Sequence, residues 1–486
     1  MPALLPSFAQ QSARNKCKIP RNEFIEPTLN SIQMSNIEKS YIDIYRDCSS
    51  AIKKDCPDVL NACRDEAMSV FERMGLPSCG LENYRHTDLS KRFETDFGLD
   101  INRLGVKANP YTSFRCDVPG INSHLFFVVN DIFCEETDEA KAEIEALRES
   151  GVIVGSLLRC AAEYPEIVGK YYGKVADMES DSTVAFNTAF AKDGLFLYVP
   201  ENVAVEKPIQ LVNVMSASFD LMANSRNLII LEKGASAKLL VCGHTNSKVN
   251  FLANRVTEVF AGESAVYEHY KLENTNDSMT NIGSLFIDQQ AASNVLVNDI
   301  TLHNGLTRNN VRINLNGEHA ETVLCGMAIG DKKEHIDNFT YINHAKSNCN
   351  SRELYKYVLN DEATGVFAGR ILVDKDSQKT VALQNNKNIC GSATAKMYTK
   401  PQLEIYADDV KCSHGATVGQ IDETALFYLR ARGISEKEAK MLLMLAFTDD
   451  VIENIRLEAL KTKIRHLVES RFRGESSKCN GCDICK

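Results

Sequence analysis

The middle of this chain repeats. Lys233-Gly-Ala-Ser-Ala-Lys, Ala261-Gly-Glu-Ser-Ala-Val and Gln289-Gln-Ala-Ala-Ser-Asn each lead into a strand-like run, and Asn316-Gly-Glu-His-Ala-Glu follows. Their starts lie 261 − 233 = 28, 289 − 261 = 28 and 316 − 289 = 27 residues apart. Small residues at a fixed interval, with β-branched runs between them, imply coils stacked on one another. Leucine-rich repeats share the period but need a fixed leucine ladder with an asparagine, which is absent. The repeat therefore predicts a β-solenoid: a stiff, long body with little internal cavity, suited to a platform better than to a pocket enzyme.

The solenoid is expected over residues 193–414, where short apolar runs such as Leu195-Phe-Leu-Tyr-Val, Leu228-Ile-Ile-Leu and Leu239-Leu-Val alternate with turns. Residues 34–192 read as a helical and mixed domain. Ile37, Tyr41, Ile44, Tyr45 and Cys48 follow helical spacing, the run from Leu60 to Met74 continues it, and Gly75-Leu76-Pro77 stops it. Leu125 to Asn130 reads as a buried strand, Glu135 to Ser150 as an acidic helix ended by Gly151, the stretch from Glu163 to Tyr172 as a further helix, and 181–191 as a mixed segment. Residues 415–474 read as a C-terminal helical domain. Ser435-Glu-Lys-Glu is a capping box, and Asp449 opens a second helix with Ile452, Ile455, Leu460, Ile464, Leu467 and Val468 on one face. Residues 1–33 form an extension expected to be disordered, with Met34 as an alternative start, and 475–486 form a cysteine-rich tail.

One stretch, 399–434, concentrates groups that carry chemistry. Leu403 and Ile405 alternate with polar neighbours, which suits a strand. Asp408 to Gly419 then places Cys412, His414, Gly415 and Gly419 in what reads as a short irregular segment, and from Asp422 the pattern turns helical. A thiol and an imidazole two residues apart can share a face and can serve a soft or borderline metal, but two ligands do not complete a tetrahedral site. A buried cysteine and a histidine bonded to backbone is the competing structural reading.

The formal net charge is -10 and the pI about 5.6, which argues against a nucleic-acid-binding surface. No run of eighteen apolar residues suggests a membrane span. The 16 cysteines sit mostly singly in apolar or helical surroundings, so reduced thiols in a cytoplasmic setting are expected rather than a disulfide framework. No phosphate loop of the Gly-x-x-x-x-Gly-Lys type, no Gly-x-Ser-x-Gly and no His-Glu-x-x-His is present, so neither ATP binding nor catalysis is expected of this chain.

Lys411-Cys-Ser-His-Gly-Ala-Thr-Val-Gly, followed by Asp422-Glu and Leu426-Phe-Tyr-Leu-Arg-x-Arg-Gly-Ile, resembles the SufB/SufD family of iron–sulfur cluster assembly scaffolds. Ser413-His-Gly-Ala-Thr-Val favours the SufD branch, since SufB carries Glu-His-Glu-Ala-Thr-Thr there. Gly75-Leu-Pro with Glu82-Asn-Tyr84 and Thr87 is similar to the family's N-terminal motif, with tyrosine where tryptophan is usual; it reads as a structural anchor. The resemblance implies a right-handed parallel β-helix core and a non-enzymatic scaffold. It further implies a heterodimer with SufB, and a nascent iron–sulfur cluster handled transiently where SufB meets His414 and Cys412, with His414 as a metal ligand. The SufC ATPase would dock on C-terminal helices, for which Leu442, Leu445, Ile452 and Ile455 are the candidate contacts. A homodimer is one state open to the chain without partners. A SufB-like scaffold and a stand-alone metal-dependent β-helix enzyme, with Asp374 and Asp376 as its weak carboxylate pair, are the alternatives. The acceptor cysteine of SufB lies roughly fifteen residues before a Thr-x-Pro, and that count falls on Asn386 rather than on Cys390.

The tail departs from the family. Cys479, Cys482 and Cys485 have the Cys-x-x-Cys-x-x-Cys spacing of iron–sulfur or zinc ligation. Three thiols leave such a site one ligand short, and a fourth has to come from another chain, solvent or a small thiol.

Overall fold

In the computed structural model, which describes residues 35–101, 109–113, 121–245 and 249–475, the repeated runs form two parallel sheets joined coil by coil. One sheet runs from Ile209–Met215 through Ser236–Thr245, Val266–Asn274, Asn294–His303, Glu321–Gly330, Asn350–Leu359 and Val381–Cys390 to Lys411–Gly419. The other runs from Leu195–Val199 through Leu221–Leu231, Phe251–Ala261, Met279–Gln289, Leu306–Leu315, His335–His344 and Thr364–Val373 to Lys396–Ile405. Successive strands of the chain alternate between the sheets, so each coil gives one strand to each. This is the predicted β-solenoid. The shared interior is apolar over most of its length: Leu197, Ile229 and Ile313 from one sheet are buried in one cluster with Leu211, Val297 and Leu324 from the other.

The repeated turns are the corners. Gly234, Ser264, Ala292 and His319 all have positive φ, between 56° and 66°, and successive corners hydrogen-bond: Gly234 N to Glu263 O at 2.8 Å and Ser264 N to Ala291 O at 2.8 Å. These corners stand 264 − 234 = 30, 292 − 264 = 28 and 319 − 292 = 27 residues apart. The first interval is thus two residues longer than the composition of the turns suggests, because Lys233-Gly-Ala-Ser-Ala enters its corner earlier.

Several expectations shift. The ten-stranded sheet begins in the N-terminal region, where His124–Val129 pairs in parallel with Ile209–Met215, and the solenoid continues past 414 to Gly419. Residues 181–191 are not mixed: Ser182–Phe190 is a helix buried all round, and a helix with no wet face has no amphipathic period to read. The interior holds little empty space, as expected, but it is not uniformly apolar. A cavity of about 70 Å³ is lined by Arg255, His269, Lys271, Glu273, Asp299 and Asn309 among others. Period-two alternation marks which residues point inward but does not require them to be apolar, and here Lys271 Nζ is neutralised by Glu273 at 2.6 Å.

N-terminal helices, Asn36–Lys53, Arg64–Met74 and Ser182–Phe190, cover the outside of the nine-stranded sheet through Tyr41, Phe71 and Phe186 against Met222, Leu252 and Ile282. C-terminal helices, Glu436–Ile452 and Glu458–Arg473, cover the other sheet. No helix among the described residues is long and apolar enough to cross a membrane. Residues 1–33 and Cys479, Cys482 and Cys485 lie outside the described residues.

Candidate functional site

Both sheets end at the same pole of the solenoid. Lys396–Ile405 pairs only with Thr364–Val373, and Lys411–Gly419 only with Val381–Cys390, so each presents one unpaired backbone edge among the described residues. Pro401 sits in the first of these, where a missing N–H costs a ladder least. At the opposite pole, the edge strands Ile132–Phe133 and Ile153–Ser156 are antiparallel additions.

His414 lies on the second edge strand, opposite Gln384 in the ladder. The expectation of an irregular segment here is overturned: Ser413, His414 and Gly415 are strand residues throughout. Gly415 meets only Asn385 Oδ1 at 3.5 Å, so nothing in its surroundings opposes extension, and the in-register parallel ladder overrides a weak local propensity. Every residue of this strand is exposed except Cys412, which is half-buried.

Cys412 and His414 do share a face, as two residues of one strand must, yet their environments differ. Cys412 packs on the solenoid interior opposite Ala382, and burial pushes its thiol up, partly offset by a hydrogen bond from the Ala382 backbone. A protonated thiol is a poor metal ligand. His414 stands one step further on and reaches solvent. Beneath it the same column continues as Gln384 and Glu353. Gln384 Nε2 donates to Glu353 Oε2 at 2.7 Å, while Gln384 Oε1 is buried without a hydrogen bond. Burial raises the Glu353 carboxyl to about 7. Gly369 makes this column possible, since a Cβ there would fall 2.4 Å from Gln384 Nε2. The solenoid thus ends in a polar, incompletely hydrogen-bonded column that His414 caps.

Asn386 is fully buried. Its Nδ2 donates to Tyr355 O at 3.3 Å and its Oδ1 accepts from Thr399 Oγ1 at 2.8 Å and Asn388 Nδ2 at 2.6 Å. Cys390 is half-buried and its thiol is pushed up by burial, so neither position offers an activated sulfur.

The predicted helical contacts divide. Ile452 and Ile455 are buried at 0% and 1% exposure with Leu460, Ile464 and Val468 against Met327 and Ile329 of the sheet, so they hold the helices to the solenoid and are not available for docking. Lys356 Nζ, donating to Phe447 O at 2.6 Å and paired with Asp450, and Asn298 Nδ2, donating to Val451 O at 3.0 Å, fix the same helix. Leu445 is half-buried against that cluster, and only Leu442 is exposed. In Glu423–Ala431 the large apolar side chains Leu426, Phe427 and Leu429 fall close together. The structure buries Leu426 and leaves Phe427 74% and Tyr428 54% exposed. The one signal for this was a run of large apolar side chains too continuous to fit a single helical stripe.

The N-terminal anchor is structural, as read. Tyr84 is buried, its hydroxyl donates to Asp181 Oδ2 at 2.5 Å, and the Arg308 guanidinium lies 4.2 Å above its ring. Thr87 Oγ1 bonds Asp337 and lies 2.8 Å from His335 Nε2. His86 stacks on Tyr398 of the open edge at 3.8 Å, an exposed aromatic contact the sequence did not announce.

Comparison with known proteins adds to this geometry. A family model described as "SUF system FeS cluster assembly, SufBD core domain" matches residues 213–447, and one described as "SufBD protein N-terminal region" matches 35–211. The chain is similar to an iron–sulfur cluster assembly SufBD family protein of Synechocystis, 27% identical over 419 residues, 84% of this chain and 90% of that one. It is similar to the iron–sulfur cluster assembly protein SufD of Escherichia coli, 34% identical over 287 residues, 58% of this chain and 64% of the relative. The SufD of Bacillus subtilis is 27% identical over 342 residues, 68% of this chain and 76% of the relative.

Proposed function

Because this chain belongs to the SufBD family of iron–sulfur cluster assembly proteins, we propose that it is the SufD-type scaffold subunit of a cluster-building complex. Its partner at the open pole is a SufB-type chain, and its work is to hold the nascent cluster, which is cargo, rather than to catalyse. One observation carries this reading: among the described residues, His414 is exposed on an unpaired edge strand at the pole of the solenoid where both sheets end in parallel edge strands.

An unpaired parallel edge gives a second solenoid a row of N–H and C=O groups to meet. His414 then offers one imidazole nitrogen to iron, while the SufB-type chain offers thiolate and carboxylate, so that neither chain alone completes the ligand set. Cys412 supports the strand from the interior and is the lesser candidate. Docking of a SufC-type ATPase uses the exposed apolar side chains Leu442, Phe427 and Tyr428, with Ile452 and Ile455 fixing that helical unit in place. The chain works in a reducing, cytoplasmic setting.

Co-expression with SufB-type and SufC-type chains tests the assignment. A ternary complex carrying iron and sulfide is expected. His414→Ala removes little buried volume, so the complex should still form while its iron and sulfide content falls at least several-fold. Cys412→Ala should cost stability, about 1 kcal/mol for a half-buried thiol, and leave cluster yield nearer normal. Normal cluster assembly on the His414→Ala complex returns this histidine to a purely structural role.

A further inference from the structure

The polar column beneath His414 leaves an acceptor without a donor. Gln384 is 1% exposed, and its Oε1 is buried with no hydrogen bond. Its Nε2 donates to Glu353 Oε2 at 2.7 Å. That bond sets the amide: the nitrogen turns to the coil below, and the oxygen is the atom left over.

The neighbours narrow the choice of donor. On the facing sheet Gln384 meets Gly369, which has no side chain, and Pro401, the partner of Gly369 in the next coil, has no N–H. Thr340, the partner of Gly369 in the coil before, interacts with Glu353. Asn386, two residues along the same strand, has its Nδ2 committed to Tyr355 O at 3.3 Å. The Tyr355 hydroxyl is also unpaired, but its ring lies over Gly326 in the coil below. The remaining side chain of the column is His414, the direct ladder partner of Gln384 on the last coil. Ladder partners stand about 4.8 Å apart, within reach of two long side chains. A buried carbonyl oxygen without a donor weighs against the fold, and turning the exposed His414 ring about its own torsions supplies one at little cost.

We propose that Gln384 is the positioning residue of His414. Its Oε1 accepts the N–H of one ring nitrogen, Glu353 holds the amide in that orientation, and the lone pair of the other nitrogen is thereby fixed toward the open pole. A hydrogen bond of this kind sets the tautomer of a histidine that ligates metal and raises its basicity. The inference rests on His414 being the iron ligand proposed above, and adds the two side chains that present it.

The first measurement needs neither partner nor metal. The full chain, labelled with 15N at histidine and kept metal-free, is followed by NMR at pH 8, with the His414 signals assigned by their loss in His414→Ala. Wild type should show one fixed tautomer, its protonated and bare ring nitrogens well separated in shift. Gln384→Met, which keeps the side-chain length but removes the acceptor, should bring the two shifts together as the tautomers exchange. Glu353→Leu should do the same, because it releases the amide. Glu353→Gln, which still offers Nε2 an acceptor, should keep the wild-type pattern. A packing role alone would not rank the variants in this way, and thermal melts verify that each is folded. On the complex with SufB-type and SufC-type chains, Gln384→Met should lower iron and sulfide about tenfold, as changes to groups that hold a metal-bound histidine do, and Glu353→Gln should not. An exchanging tautomer in wild type, or a fixed one in Gln384→Met, overturns the inference. So does a Gln384→Met complex with normal iron where His414→Ala has lowered it, and the ligand reading then stands. Normal iron on the His414→Ala complex overturns the ligand reading, and the use made of Gln384 with it.

Discussion

Glu353 and His414 show how a single column of the sheet divides its tasks. Each is one strand from Gln384, but Glu353 is sealed inside and His414 faces water. Burial lifts the Glu353 carboxyl from its usual 4.5 to about 7, so the folded chain keeps a proton that the unfolded chain releases between those values. That contribution to stability is full below pH 4.5 and is lost as the pH rises through 7. Glu353→Gln should therefore leave the melting temperature at pH 5 nearly unchanged and raise it at pH 8. The gain is capped near 3 kcal/mol by the 7 − 4.5 = 2.5 unit displacement. Equal melting temperatures of the two proteins at pH 8 would show that Glu353 is ionised at no cost. The sequence carried the His414 motif but not this column, because Glu353, Gln384 and His414 are 384 − 353 = 31 and 414 − 384 = 30 residues apart and meet only through register.

At the scale of elements, the same limit explains which helical residues were misassigned. An apolar stripe on a C-terminal helix states that one face is covered, but not by what. Ile452 and Ile455 are covered by this chain's own sheet, and Leu442 is not. Paired substitutions separate the two roles. Ile452→Asp buries an unpaired charge and should destabilise the helical unit by at least about 3 kcal/mol, visible as a lower melting temperature. Leu442→Asp and Phe427→Asp should leave melting within about 0.5 kcal/mol and reduce capture of a SufC-type chain. Unchanged capture by both surface variants would remove these side chains from the docking face. The strand Lys411–Gly419 is the converse case. Its Ser-His-Gly centre reads locally as a break, and only the ladder to Val381–Cys390 makes it a strand. The 27- and 28-residue intervals, by contrast, were legible because a corner in the left-handed region recurs once per coil, and in the early coils Gly234, Ser264 and Ala292 fill it.

At the scale of the whole molecule, the solenoid is closed by additions at its N-terminal pole and left with two open parallel edges at the other, with helices on both outer faces. Association at the open pole and the anchoring of the last helix then belong to different parts of the chain. His303 and Glu334 sit several coils away from Lys411–Gly419, beside the last helix rather than at the open edge. Deleting residues 476–486 should therefore leave assembly with SufB-type and SufC-type chains intact by size exclusion, and leave cluster yield on the complex unchanged. If the truncated chain fails to assemble, the tail takes part in the partner interface. That interface would then be linked to the solenoid through Glu458–Arg473, whose Arg471 joins the solenoid wall at Glu334 and whose apolar face holds the helical unit to the sheet.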